Sequence, residues 1–154
     1  MHEVGVTLPA WVTEGVDYTQ PYATDEERMR LAIRLSTENV QHGTGAPFGA
    51  AIFERESGLL IAVGVHSVER LNNSTLHAEM VAIQLAQRRV ASHALDGGGH
   101  PPHELFTSSA PCPMCLEAAV GSGIVRLVSA PEAHAQSGEP GVAHSLIHDV
   151  RFLR

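Results

Sequence analysis

The sequence predicts an α/β fold, a sheet covered by helices on both faces. Two apolar runs, 48–54 and 59–66, flank the short polar segment 55–58 and read as a β-hairpin. Beyond the hairpin, helical and extended patterns alternate, which sets helices against a sheet. A chain of 154 residues with 44% hydrophobic content can bury a real core, and its length suits one domain spanning 1–154.

The elements follow in order. Residues 1–23 carry Pro9, Trp11, Tyr18, Pro21 and Tyr22 without clear periodicity, so they read as an irregular arm whose aromatics pack on the domain or on a partner subunit. Thr24 followed by Glu27 makes a capping box, and Met29, Ala32, Ile33 and Val40 recur at helical spacing. The first helix is therefore expected over 25–41, ended by Gly43 and Gly45. After the hairpin, 67–75 is a polar loop containing Asn72 and Asn73, and Ser74 or Thr75 can cap the next helix. Ala78, Val81, Ala82, Leu85 and Ala86 mark its buried stripe, to about residue 91. The Gly- and Pro-rich stretch 96–102 is a loop, 104–108 a short strand, 112–120 a helix stopped by Gly121 and Gly123, and 124–129 a further strand. The tail 131–154 is weakly patterned, with a short helix expected near 142–148. No internal repeat and no second domain is visible.

The chemistry concentrates in Pro111-Cys112-Pro113-Met114-Cys115, which holds the only two cysteines. Positions i and i+3 share a helix face, so both sulfurs can reach one metal ion from the first turn, where the helix dipole favours thiolates. Spacing alone serves a metal pair and a thioredoxin-like redox pair equally well. A third metal ligand is available in His77, within His77-Ala78-Glu79 at the head of another apolar-periodic stretch. His77 and Glu79, two apart, point about 200° away from each other on a helix and cannot both be ligands on one helical face. At the helix entrance, however, the histidine can bind a metal while the carboxylate approaches from beside it.

His-x-Glu followed by Pro-Cys-x-x-Cys is the signature of zinc nucleobase deaminases, and the chain resembles the cytidine deaminase-like superfamily. Within it, Gly45-Ala46-Pro47-Phe48-Gly49-Ala50, Asn72 and Thr75-Leu76-His77-Ala78-Glu79-Met80 look like the branch of guanine deaminases, cytosine deaminases and tRNA adenosine deaminases; the resemblance runs from about residue 25 to 130. It implies a three-layer α/β/α sandwich with a central mixed five-stranded sheet, one zinc ion (Zn2+) on His77, Cys112 and Cys115, and Glu79 as the catalytic proton shuttle. Three protein ligands keep a zinc position open for chemistry. The resemblance further implies that Asn72 binds the base or its sugar, that Ala78 contributes a backbone amide, that Phe48 forms part of the pocket wall, and that the protein is a homodimer. The reaction expected is hydrolytic deamination of an amino-substituted nucleobase, nucleoside or related heterocycle, guanine-like before cytosine-like. Ala110 stands where guanine and tRNA deaminases often carry glutamate, Ser74 where they often carry proline, and Glu117 where a small residue is usual.

Composition trims the alternatives. A net charge of −7, with ten arginines and no lysine, argues against nucleic acid as partner and removes Schiff-base chemistry and a Walker-type lysine. Residues 1–15 show no basic leader and no stretch approaches a membrane span, so a cytoplasmic enzyme with a small-molecule partner is expected. The rival readings are a tRNA adenosine deaminase, a redox CxxC protein and a structural zinc site, the last needing a fourth ligand such as His100 or His103.

Overall fold

The computed structural model describes residues 2–96, 99–130 and 146–148. The arm contains a short helix, α1 (Ala10–Gly15), where irregular chain was expected; α2 (Asp25–Gln41) follows. Thr24 caps α2 by accepting from the Glu27 amide at 3.1 Å, while the Glu27 carboxylate accepts from Ala23 N, one residue before the cap. The hairpin is β1 (Gly49–Glu54) and β2 (Leu60–Val65), with a bulge between Ile52 and Phe53. A one-turn helix, α3 (Val68–Leu71), lies in the expected loop. Then come α4 (Ala78–Val90), β3 (His103–Thr107), α5 (Pro113–Ser122), β4 (Arg126–Ser129) and β5 (Leu146–His148).

The sheet has the order β2-β1-β3-β4-β5 and is mixed: β1 is antiparallel to β2 and β3, β3 is parallel to β4, and β5 is antiparallel to β4. The helix expected near 142–148 is a strand where it is described, at Leu146–His148. The open edge of β4 offers hydrogen-bonding partners that an isolated short helix would lack. The remainder of 131–154 lies outside the described residues.

Strand alternation divides the core into two clusters. Ala51, Phe53, Val63, Phe106 and Val128 pack against Met29, Ala32 and Leu35 of α2, with Phe53 and Phe106 edge to face at 5.7 Å. Trp11, Tyr18 and Tyr22 of the arm pack on this same side. The opposite face puts Ala50, Ile52, Leu105 and Leu127 against Ala78, Ala82 and Ala86 of α4 and Ala119 of α5. The small α4 stripe lets that helix lie close to the sheet, and Gly64 makes the approach possible. A Cβ built there would sit 2.0 Å from the Ala78 carbonyl oxygen and 2.7 Å from the Ala82 amide nitrogen. Gly49 plays the matching role under α2, where a Cβ would meet the Ala32 carbonyl oxygen at 2.4 Å.

Gly64→Ala should therefore destabilise the protein by about 1–3 kcal/mol, the usual cost of overpacking. Gly121→Ala, in an exposed part of α5 with nothing within 4 Å of the added carbon, should be neutral or stabilising by up to about 1 kcal/mol. Denaturant unfolding of the two variants checks the opposite signs.

Candidate metal centre and active site

β2 and β3 point the same way, so their carboxyl ends lie at one edge of the sheet, where open α/β sheets bind ligands. From that edge β3 feeds the loop into α5, and β2 leads through α3 into α4. Both helices that begin at this edge, α4 and α5, start with a residue that does not cap them. His77 is the N-cap of α4 and Cys112 the N-cap of α5, each in extended backbone and neither with a side-chain capping bond. Ser74 and Thr75 do not cap α4; Thr75 donates instead to the Asn73 side chain. Two helix N-termini, with amides that no helix carbonyl takes, thus face one spot.

His77, Cys112 and Cys115 meet there, their ligand atoms all within 4.8 Å of one another. His77 Nδ1 lies 3.5 Å from Cys112 Sγ and 3.6 Å from Cys115 Sγ. Zinc bonds of about 2.0 Å to nitrogen and 2.3 Å to sulfur, at tetrahedral angles, put those atoms about 3.5 Å apart, so the donor set has the size of a zinc site. The electrostatics agree. Burial pushes the Cys115 thiol up from the usual cysteine range, and the Glu79 carboxylate beside it pushes further in the same direction. A divalent cation among these groups reverses both effects. The structural-zinc reading loses one proposed ligand: His103 is buried at the far end of β3, its Nδ1 on the Leu95 carbonyl. Among the described residues no fourth ligand joins the group.

Glu79 sits in the first turn of α4 and is buried. Because His77 is still extended at the cap, the two side chains need not diverge as they would inside a helix. Both reach Cys115, whose Sγ is 3.4 Å from Glu79 Oε2. The other carboxylate oxygen, Oε1, accepts from Thr107 Oγ1 at 2.5 Å.

A cavity of about 310 Å³ opens onto these groups, lined by Phe48, His66, His77, Glu79, Ser109, Ala110 and Cys112. Phe48 is one of these lining residues. Its ring tilts against His66 at 5.7 Å, and His66 stacks on His77 at 5.6 Å. Ala78 is fully buried as the first residue of α4, where its amide belongs to the free N-terminal set. Asn72 does not line the cavity. It is exposed and caps α3 in the left-handed conformation at φ 51°, so the structure gives it a turn-forming role. His66 is the wall residue that motif reading passed over. It follows β2 directly and donates its backbone amide to the Phe48 carbonyl, so hairpin register, not motif spacing, was the signal for it. Its Nδ1 lies 3.4 Å from the exposed Glu69 carboxylate but has no hydrogen-bond geometry to it, and burial holds the imidazole below the usual histidine range.

The comparisons agree with this geometry. Residues 22–130 match the family model for the cytidine and deoxycytidylate deaminase zinc-binding region. Guanine deaminase of Bacillus subtilis is 36% identical over 123 residues, covering 80% of this chain and 74% of that protein. A tRNA-specific adenosine deaminase of Aquifex aeolicus is 35% identical over 100 residues, 65% of this chain and 61% of the relative. The solved guanine deaminase of Nitrosomonas europaea superimposes with a TM-score of 0.79 at 36% identity, covering 88% of this chain and 74% of that one. With a His, Cys and Cys group at zinc spacing and a family match across most of the described fold, the chain belongs to the cytidine and deoxycytidylate deaminase zinc-binding family.

Proposed function

We propose that the chain is a zinc-dependent hydrolase that deaminates a free purine base, guanine before others, with His77, Cys112 and Cys115 as zinc ligands and Glu79 as proton shuttle. The observation that carries this reading is the Glu79 carboxylate, buried in contact with one sulfur of the metal group at a residue that lines the cavity. When bound, zinc supplies the Lewis acidity that lowers the pKa of water from about 16 to about 7.

The side chains divide the remaining work. Phe48 and His66 form an aromatic wall that holds a flat heterocycle against the metal group. Glu79 takes a proton from the attacking water and passes it to a ring nitrogen as the carbon–oxygen bond forms at the carbon bearing the amino group. It then carries the remaining proton of the added hydroxyl to the amine, so that ammonia leaves as the carbon–nitrogen bond breaks and a carbonyl forms at that carbon. The N-terminal amides of α4, Ala78 included, favour negative charge developing beside them.

Likeness to the two guanine deaminases supports a purine, and the cavity lies near the lower end of the usual ligand range of about 300–1,000 Å³. Likeness to tRNA-specific adenosine deaminases favours a second reading. Against it stands the net charge of −7 without a single lysine, since a polyanion binds largely through counterion release at basic residues. The reading also includes a homodimer, carried over from the family resemblance, and a cytoplasmic location. A monomeric mass by light scattering would remove the dimer.

Metal content and rate separate the roles. Glu79→Gln should keep about one zinc per chain and lose activity by about 10⁴-fold, the upper end for general acid-base catalysis, because one carboxylate serves several transfers. His77→Ala and Cys112→Ala should lose zinc itself, and thermal stability with it. Ordinary activity in Glu79→Gln, or full zinc in Cys112→Ala, overturns the assignment. Ammonia release across guanine, adenine, cytosine, their nucleosides, aminotriazines and pterins ranks the substrates; guanine should lead, and salt-sensitive sub-micromolar binding of tRNA would favour the second reading. His66→Ala should raise KM for the best substrate by about tenfold while zinc content holds, because it removes wall and not ligand.

A further inference from the structure

We infer that Thr107 is a positioning residue for the deamination, fixing which oxygen of Glu79 handles the proton. The inference rests on the reading of Glu79 as proton shuttle and extends it to a residue of β3, the next element in the chain.

A carboxylate acting on one water has two equivalent oxygens and a soft terminal torsion, so an unrestrained glutamate spreads over orientations of which few are productive. Glu79 is not unrestrained. Thr107 Oγ1 donates to Oε1 at 2.5 Å, the short end of the range for a hydroxyl on an ionised carboxylate, and the bond is buried. Oε2 is left on the side of Cys115 Sγ, 3.4 Å away, toward the metal group, and Glu79 is one of the residues that line the cavity. One oxygen is therefore tied to the sheet and the other is presented to the site.

Thr107 is in turn hard to move. It is the last residue of β3, 1% exposed, paired with Ala50 of β1 on one side and Ser129 of β4 on the other. Its carbonyl accepts from the Ala130 amide at 3.1 Å. In β3, residues 103, 105 and 107 share the face that packs on α4, which is why the hydroxyl meets Glu79 and not α2. Along the cavity-facing loop Ser109 lines the wall itself, whereas Thr107 lies behind the carboxylate and does not line the cavity. It therefore acts through Glu79, without touching substrate. The opposing reading is that Thr107 merely satisfies a buried carboxylate and contributes to stability alone.

The test is a set of variants assayed for zinc content, thermal unfolding, kcat and KM on the substrate the panel identifies. Thr107→Val removes the hydroxyl at nearly constant volume and should keep about one zinc per chain and an unchanged KM while kcat falls at least tenfold. Thr107→Ser keeps the hydroxyl and should hold kcat within about threefold of the parent. In a Glu79→Gln background Thr107→Val should cost nothing further in kcat, because a group acting through Glu79 has nothing left to position. If the valine does not fold, Thr107→Ala serves in its place, since it sets no methyl against the carboxylate. Parental kcat in the valine or alanine variant, equal losses in the serine and valine variants, or an additive loss on top of Glu79→Gln each overturn the inference. A Glu79→Gln enzyme that stays active sinks the shuttle reading instead. An inactive Glu79→Gln beside a fully active Thr107→Val sinks only the role of Thr107.

Discussion

Two helices begin at one point, and each has at its capping position a member of the His77, Cys112 and Cys115 group that could hold a metal ion. A helix start ordinarily gains about 1 kcal/mol from a Ser, Thr, Asp or Asn cap. α4 and α5 have His77 and Cys112 there without a capping bond, so their first amides stay free and their positive dipole ends converge. That arrangement is what makes the rest tolerable. Burial drives the Cys115 thiol up first, and the Glu79 carboxylate 3.4 Å away drives it further, since a thiolate there would repel it. Two dipole ends offset part of this penalty, and a divalent cation held by the group would offset the remainder. The requirement then propagates outwards: α4 must lie against β2 closely enough to aim its start at α5, which explains Gly64 and the Ala78, Ala82 and Ala86 stripe.

The opposite end of the sheet answers a different demand, the register of β3 against β4. A parallel pair has no hairpin turn to fix its alignment, and a slip of one residue would turn every side chain to the other face. Glu104 and Arg126 are register partners, and Arg126 Nη1 reaches Glu104 Oε2 at 3.2 Å while also binding Asp25 at the start of α2. Arg28 from α2 holds the same Glu104 oxygen at 3.1 Å, and Arg55 approaches the other oxygen at 3.4 Å. A buried carboxylate held this way is a poor argument for net stability but a strong one for specificity of alignment. Three residues further along, the same strand ends in Thr107, whose face is set by that alignment.

The sequence made the chemistry legible because the chemistry is local. His77 with Glu79, and Cys112 with Cys115, are fixed relative to each other by a few residues of backbone, so spacing alone placed each pair at a helix entrance. The long amphipathic helix at 25–41 and the hairpin were legible for the same reason: a capping residue, a period and a turn declare themselves within one window. The short elements were not. α1 and α3 are too brief to show a period, and β5 exists because β4 offers it an edge, which no local pattern records. Nothing in the spacing singles out Thr107 within its strand, and only the packing of α4 on β3 gives it a partner.

The cavity wall belongs wholly to that second category. Phe48 and His66 are 18 positions apart and meet because the ends of β1 and β2 pair, with the His66 amide on the Phe48 carbonyl at 3.1 Å. The pairing is braced from behind by Asn39 of α2, fully buried, whose side-chain amide donates to the carbonyls of Ala46 and His66 at 2.9 and 3.0 Å. Gly45 passes so close to this junction that a Cβ would fall 2.2 Å from the His66 carbonyl oxygen. Asn39 accepts from Thr44, which accepts from the indole of Trp11, so even the N-terminal arm bears on the wall. A ligand motif can be copied between proteins as a short string, but a wall assembled from α2, the hairpin ends and the arm cannot. Ala110, in a position where resemblance led one to look for glutamate, lines this cavity and leaves Glu79 as the one carboxylate among its described lining residues. The other polar side chains on the wall are the His66 imidazole and the Ser109 hydroxyl beside His77 and Cys112, and the shape of that wall is a property of tertiary packing that no short motif carries.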